Sequence, residues 1–448
     1  MSINSFDVKS STKISPFSKS IEVDSDKSIS IRSFLISSIS LNISSIKNVL
    51  ESEDVLASIN CLKKLSIKII KIKKGEYKVF GKGLGSLNCK KNTILNCQNS
   101  GTLARLLIGI LATTPNIKVI IKGDHSLNKR NMKKLIEIMN EFGAEFFPKN
   151  KFNFPLKLVA SEMPVGINYT SGVSAQVKSA VILAGLNSFG DTIIFESRKS
   201  RDHTENMLKQ NVGSIKIRKA KKNIINVYGK KQLKNFNIRV PGDPSSAAFF
   251  SALTLLSNNS KLVIKNVQLN PTRTGFYDIL RKSGAKIYFS KVKIINGERI
   301  GNILIKSSKI KALKASSDYY VKSTDEYPIL FVIAALTPGV SEFSGVEDLA
   351  NKESNRILEI KKILKQIKVK LKFSGGKVQI YGKKFQKIKY SITIPNLGDH
   401  RICMSALVLS QLTGCKIFIK NFETVNTSSP SFLKLIKKLG GKFEIKKN

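Results

Sequence analysis

The chain has 448 residues, 42% of them hydrophobic, enough to bury sizeable cores, and 76 Lys and Arg against 31 acids give a net charge of +45. The lysines are spread through every segment without a concentrated basic arm or an aromatic-interleaved basic run, which argues for solvated lysine faces and against a nucleic-acid partner. No apolar run approaches the roughly 18 residues of a membrane span, the first 26 residues carry no signal-peptide core, and five scattered cysteines without a C-x-x-C pair exclude a disulfide framework or structural zinc site. The expectation is a cytoplasmic, membrane-free protein with buried, reduced thiols and no metal, since its three histidines also lie far apart.

A polar turn followed at once by an apolar helix-like run recurs six times. The first is DKSISIRSFLISSI from Asp26, with Asp24 or Ser25 as candidate cap and Lys27, Ser28 and Arg32 near the helix start. Ser28 and Arg32 are four apart and share a helix face. Next is NSGTLARLLIGILA from Asn99, where Gly101 permits a ligand close to the backbone and Arg105 follows one turn later. GDHSLNKR then brings Arg130 ahead of another helix. SAQVKSAVILAGL from Ser174 offers Ser174 and Gln176 as neutral donors, with Lys178 after them, and ESRKSRDHTENML places Ser200 and Arg201 before an amphipathic helix.

In the second half the phrase recurs as DPSSAAFFSALTLL from Asp243, DEYPILFVIAALT from Asp325 and DHRICMSALVLSQL from Asp399. Asp325 reads either as an N-cap or as a carboxylate able to take a proton from a substrate hydroxyl. Between the last two phrases, EDLANKESNRIL predicts a helix carrying Lys352 and Arg356 at i and i+4, with Glu353 three residues before Arg356.

The six starts lie 73, 75, 69, 82 and 74 residues apart, a regularity that indicates six copies of one unit. A second phrase runs in register with the first: a helix ends in Gly or a similar turn and an alternating strand follows, near Leu65, Gly143, Gly213, Gly284, Lys368 and Gly440. Strands alternating with helices predict an α/β or α+β fold, and six units favour two domains of three. Helix N-termini are ready-made anion sites. Only 12 of the basic residues are Arg, and Arg32, Arg105, Arg130, Arg201, Arg356 and Arg401 fall in these phrases, with Arg273 in NPTRTG after the fourth. Arginine offers a two-pronged donor for carboxylate or phosphate that lysine cannot imitate, so the pattern points to a heavily anionic small molecule.

DKSISIR, NSGTLAR, GDxSLxxR, SAQVKSA, SRDHTExML, PGDPSSAAFF, NxTRTG, DEYPIL, NKESxR and DHRxxMS occur in that order from about Lys27 to Pro430. Together they resemble the enolpyruvyl transferase family, in the class II bacterial form of its shikimate branch. The resemblance implies a two-domain inside-out α/β barrel, each domain three βαβαββ-type repeats about a pseudo-threefold axis. One domain would comprise 1–26 and 242–448, the other 27–241. It implies transfer of the enolpyruvyl group of phosphoenolpyruvate to the 5-hydroxyl of shikimate 3-phosphate, by addition and elimination through a tetrahedral intermediate, in chorismate and aromatic amino-acid biosynthesis. No cofactor and no metal are implied, and a monomer is the family expectation.

Carried over motif by motif, the resemblance assigns shikimate 3-phosphate to Lys27, Ser28, Arg32, Ser174, Ala175, Gln176, Ser200, Arg201, Asp325 and Lys352. It assigns phosphoenolpyruvate to Lys27, Gly101, Arg130, Gln176, Arg356 and Arg401, and the catalytic work to Asp325, Glu353, Lys27 and Lys352. Gly101 is the glycine of inhibitor-sensitive members, which implies that glyphosate competes with phosphoenolpyruvate. The family's LRVKESDR reads LANKESNR here, so Ala350 stands for Arg and Asn355 for Asp, a change expected to loosen Arg356. The alternatives are the sister enzyme acting on UDP-N-acetylglucosamine, which usually carries a reactive Cys in the loop that reads GDHSLNKR here, and a basic nucleic-acid-binding protein.

Overall fold

The computed structural model describes residues 5–218, 223–384 and 390–447. It divides into two compact units, one of Met1–Asp24, Pro241–Lys293 and Arg299–Asn448, the other of Ser25–Val240 and Ile294–Glu298. The short return of the chain at Ile294–Glu298 has no counterpart in the sequence expectation.

Six four-stranded sheets are present among the described residues, three per unit. Each holds one parallel pair, such as Thr93–Asn96 with Lys118–Lys122, or Lys314–Ala315 with Gly339–Ser344. In three sheets one strand comes from far away in the chain. Phe6–Ser10 sits between Lys416–Ile419 and Glu444–Lys447, antiparallel to both. Ser18–Ile21 runs parallel to Lys261–Gln268, and Asn237–Arg239 parallel to Leu41–Lys47. Ser18–Ile21 is thus separated along the chain from its parallel partner by the whole of Ser25–Val240, whereas Asn237–Arg239 and Leu41–Lys47 are the two ends of that same unit.

Each unit is centred on three helices that start at the repeated polar turns. In the Ser25–Val240 unit these are Lys27–Ser38, Gly101–Ala112 and Ala175–Leu186. In the other they are Pro244–Leu256, Tyr327–Leu336 and His400–Thr413. Segments such as YPILFVIAAL are apolar all round, so they are stable only when wrapped on every side. Tyr327 through Ala335 are all buried accordingly. Small residues let backbones approach: a Cβ on Gly109 would meet the Ala180 backbone, 2.7 Å from its Cα. The serines of Lys27–Ser38 are buried without cost in unpaired hydroxyls where they bond back along the helix, as Ser33 Oγ does to Ile29 O at 2.8 Å.

Four of the six starts are capped by a side chain of the polar turn itself, Ser100, Ser174, Asp243 and Asp399. The first is capped by Asp26, which accepts from Ile29 N, rather than by Asp24 or Ser25. Asp24 instead accepts from Ser429 and Ser431 in its own unit. Of the five cysteines, Cys61, Cys97, Cys403 and Cys415 are buried and none is bridged, whereas Cys89 is half-exposed, departing from the uniform burial expected. Among the described residues no helix is long and apolar enough to cross a membrane.

Candidate active site

In the Ser25–Val240 unit the expected residues gather at helix starts. Lys27, the first helical residue after the Asp26 cap, pairs with Asp54 at 2.9 Å, and Ser28 is half-buried beside it. Arg32 is only 3% exposed. Its Nε donates to Thr204 Oγ1 at 3.0 Å, Nη1 to Ser28 O at 3.1 Å and Nη2 to Ser179 Oγ at 3.3 Å. The shared face of Ser28 and Arg32 thus brings the guanidinium onto the Ser28 carbonyl.

The starts of Gly101–Ala112 and Ala175–Leu186 are tied together by side chains. Arg105 Nη1 donates to Gln176 Oε1 at 2.7 Å and Gly101 O at 3.2 Å, while Gln176 Nε2 donates to Thr102 Oγ1 at 2.9 Å. Arg130 Nη2 donates to Asn99 Oδ1 at 2.9 Å, and Asn99 is in turn held by Asp124 at 2.6 Å. A Cβ on Gly101 would lie 2.7 Å from Arg105 Nη1 and 2.8 Å from Arg130 Nη1, so two guanidinium groups flank this glycine. Ser174 is exposed and Ala175 half-buried at the next helix start. Ser200 is fully buried with its N–H and hydroxyl on Glu196, and Arg201 follows half-buried.

In the other unit, three carboxylates meet around Arg356. Arg356 Nε donates to Asp399 Oδ2 at 2.9 Å and Nη2 to Glu353 Oε2 at 2.5 Å, with Asp325 Oδ1 at 3.9 Å from Nη1. Asp325 Oδ2 lies 3.5 Å from Arg401 Nη2. Arg356 is 1% exposed. Burial alone would lower its pKa, but Asp399, Glu353 and Asp325 outweigh that and hold it above the ordinary value.

Three sequence expectations need correcting here. Asp325 does not cap: the helix begins at Tyr327 after Glu326 with no side-chain cap, which leaves the Asp325 carboxylate for the two arginines. Lys352 does not share a helix face with Arg356. The helix begins at Arg356, and Lys352 is extended after a short 3-10 turn, Glu347–Asn351. Its Nζ pairs with Asp348 Oδ2 at 2.5 Å, which also accepts from Tyr320 Oη at 2.8 Å, and it lies 6.0 Å from the Tyr320 ring centre. Nor does Asn355 loosen Arg356. Asn355 caps the helix by accepting from Leu358 N at 3.0 Å, and three other carboxylates grip the guanidinium.

Arg273, counted with the anion-reading arginines, is 2% exposed and donates to Asp243 at 3.2 Å and Ser245 Oγ at 2.8 Å. Ser245 in turn donates to the buried Glu326. Sequence reasoning missed four acids that pair with candidate residues or their neighbours: Asp54 with Lys27, Asp348 with Lys352, Glu196 with Ser200 and Glu205 with Lys178. The one available signal was scarcity, since the chain has 31 acids in 448 residues. Among the described residues no cluster of three His, Cys, Asp or Glu could hold a metal ion.

The model of the EPSP synthase (3-phosphoshikimate 1-carboxyvinyltransferase) family matches residues 11–436. A 3-phosphoshikimate 1-carboxyvinyltransferase of Petrotoga mobilis is 36% identical over 94% of this chain and 96% of its own length. That of Caldicellulosiruptor bescii is 39% identical over 92% and 95%. The structure of EPSP synthase from Acinetobacter baumannii superposes with a TM-score of 0.86 at 32% identity, covering 99% of this chain and all of that one, which makes the fold the inside-out two-domain α/β architecture. The chain belongs to the EPSP synthase family.

Proposed function

We infer that Asp325, Glu353, Lys352 and Lys27 carry the chemistry by which this chain, an enolpyruvyl transferase of the shikimate pathway, moves the enolpyruvyl group of phosphoenolpyruvate to the 5-hydroxyl of shikimate 3-phosphate. Both substrates bear a carboxylate and a phosphate, and arginine matches such groups with two parallel donors. Lys27, Ser28, Arg32, Ser174, Ala175, Gln176, Ser200 and Arg201 hold shikimate 3-phosphate. Arg130, Arg356 and Arg401 clamp phosphoenolpyruvate, with Gly101 at its edge and Gln176 and Lys27 near it.

The reading is carried by the convergence of Arg356 and Arg401 on the single carboxylate of Asp325. A base so placed meets the 5-hydroxyl beside the phosphoenolpyruvate cations. Asp325 takes the hydroxyl proton as the oxygen attacks C2 of phosphoenolpyruvate, while the methylene carbon gains a proton to form the tetrahedral intermediate. Elimination returns that carbon to a methylene as phosphate leaves. Glu353 and Lys352 move the proton to and from this carbon, and Lys27 stabilises charge near the departing phosphate.

The test is phosphate release from phosphoenolpyruvate with shikimate 3-phosphate, beside UDP-N-acetylglucosamine as the alternative acceptor. Release should require shikimate 3-phosphate and fall by about 10²–10⁴-fold in Asp325→Ala, the usual span for a general base. Undiminished turnover in that variant, or release with the nucleotide sugar, would remove this assignment.

A further inference from the structure

Lys178 is a charged side chain with no solvent exposure. Its Nζ lies 2.6 Å from Glu196 Oε1 and 2.7 Å from Glu205 Oε1, and both carboxylates are buried. Burial disfavours its charged form, but the two carboxylates more than offset this and raise its pKa, so the lysine stays an ammonium. Two buried carboxylates on one ammonium are an expensive arrangement, of a kind that apolar side chains of similar volume often replace without loss of stability, whereas removing one partner alone is costly.

What the pair does is visible in its further partners. Glu196 Oε1 also accepts the Ser200 N–H at 3.0 Å and the Ser200 hydroxyl at 3.2 Å, while Oε2 accepts from Asn223 at 3.1 Å. Glu205 lies on the helix His203–Leu208 beside Thr204. Thr204 Oγ1 donates to Ser179 Oγ at 2.9 Å and accepts from Arg32 Nε at 3.0 Å. One arm of the network therefore ends at the Ser200–Arg201 turn, and the other at Arg32. Both ends are groups assigned above to shikimate 3-phosphate, and none of the contacts reaches Arg130, Arg356 or Arg401.

We propose that Lys178 is a positioning residue for shikimate 3-phosphate, its ammonium holding Glu196 and Glu205 so that the Ser200–Arg201 turn and Arg32 stand ready for the phosphorylated acceptor. The proposal rests on the assignment of those residues to that substrate. A residue that merely stabilised the fold would disturb both substrates alike. A positioning role on one arm predicts selectivity, and coupling to Ser200.

Four variants are measured with each substrate varied in turn: Lys178→Met, Ser200→Ala, the double variant and Arg201→Gln. Lys178→Met should raise KM for shikimate 3-phosphate about tenfold or more, the span expected for losing hydrogen bonds to charged groups, and leave KM for phosphoenolpyruvate unchanged. Ser200→Ala should reproduce part of that rise, and adding it to Lys178→Met should add little, since the two act through one chain of contacts. Additive effects, a parallel rise in KM for phosphoenolpyruvate, or an unchanged KM for shikimate 3-phosphate would overturn the proposal. If Lys178→Met does not fold, the near-isosteric Glu196→Gln takes its place with the same expectations. Arg201→Gln separates the two readings: if it leaves KM for shikimate 3-phosphate untouched, the substrate assignment fails and this proposal with it. If it raises that KM while Lys178→Met does not, only the positioning role fails.

Discussion

Gly101 shows how little space separates a functional side chain from a disabled one. It opens the Gly101–Ala112 helix with Arg105 Nη1 and Arg130 Nη1 on either side of where a methyl would stand, 2.7 and 2.8 Å away. Both neighbours are far ends of flexible side chains, so Gly101→Ala is compatible with folding but not with the present arginine positions. Arg105 would lose its grip on Gln176, and Arg130 would swing from Asn99. Displacements near 1 Å cost up to about 10²-fold in a positioned site. Gly101→Ala should therefore raise KM for phosphoenolpyruvate by about tenfold, within that bound, and raise the inhibition constant of glyphosate with it. An unchanged KM in steady-state assays would mean that Arg130 and the Gln176 held by Arg105 do not meet phosphoenolpyruvate in their present positions. Arg356 is the contrasting case: Asp399, Glu353 and Asp325 surround it, so the exchange of Asp for Asn at 355 changes a helix cap and leaves the guanidinium held.

At the scale of the element, the second helix of every repeat is followed by a residue with a left-handed backbone, within two residues of the helix end in five repeats and five residues past Leu208 in the third. Four repeats use glycine: Gly143 (φ +89°), Gly213 (φ +89°), Gly284 (φ +97°) and Gly440 (φ +102°). The remaining two use Ser66 (φ 63°) and Lys368 (φ 55°), where a side chain costs about 1–2 kcal/mol. Ser66 is exposed and follows the helix Glu53–Lys64, so Ser66→Gly should stabilise its unit by about 0.5–1 kcal/mol after the entropy of glycine is subtracted. Lys368→Gly should gain less, because Lys368 Nζ also lies 4.8 Å from the Tyr390 ring centre. Urea midpoints of the two variants check the order, and a loss of stability in Ser66→Gly would refute the strain argument. These turns were legible in sequence because a stop signal followed by an alternating strand is local. Helix starts were legible for the same reason. The error at Lys352 is also local in origin: i, i+4 spacing was read through Asn355, which is a cap and ends the periodicity there. Partnerships were not legible, since Lys27 finds Asp54, Lys178 finds Glu205, and Arg356 finds Asp399 across turns and strands that no short window contains.

At the scale of the whole molecule, repeat period and charge are separable. Among the described residues the period sets six sheets and two cores, and one sheet takes its opening strand from beyond the inserted unit, as Ser18–Ile21 runs beside Lys261–Gln268. Charge does none of this. If every one of the 31 acids neutralised a cation, 45 cations would still be unmatched. Buried pairs such as Arg356 with Asp399 engage only a handful. The surplus is mostly lysine on solvated faces, where pairs such as Lys73–Glu76 at 3.5 Å and Lys133–Glu137 at 3.8 Å contribute about 0–1 kcal/mol each. Net charge of this size destabilises a compact state through self-repulsion. Salt shortens the reach of that repulsion, the Debye length falling from about 30 Å at 0.01 M to about 10 Å at 0.1 M. The same screening weakens the exposed pairs, but they are few and weak against a long-range excess of one sign. Thermal stability should accordingly rise with sodium chloride, most steeply below about 0.1 M, and potassium chloride at equal ionic strength should act alike. Scanning calorimetry across that range decides it: a Tm that falls with salt would show that the surface pairs outweigh the repulsion, and that the lysines are organised for stability rather than merely tolerated.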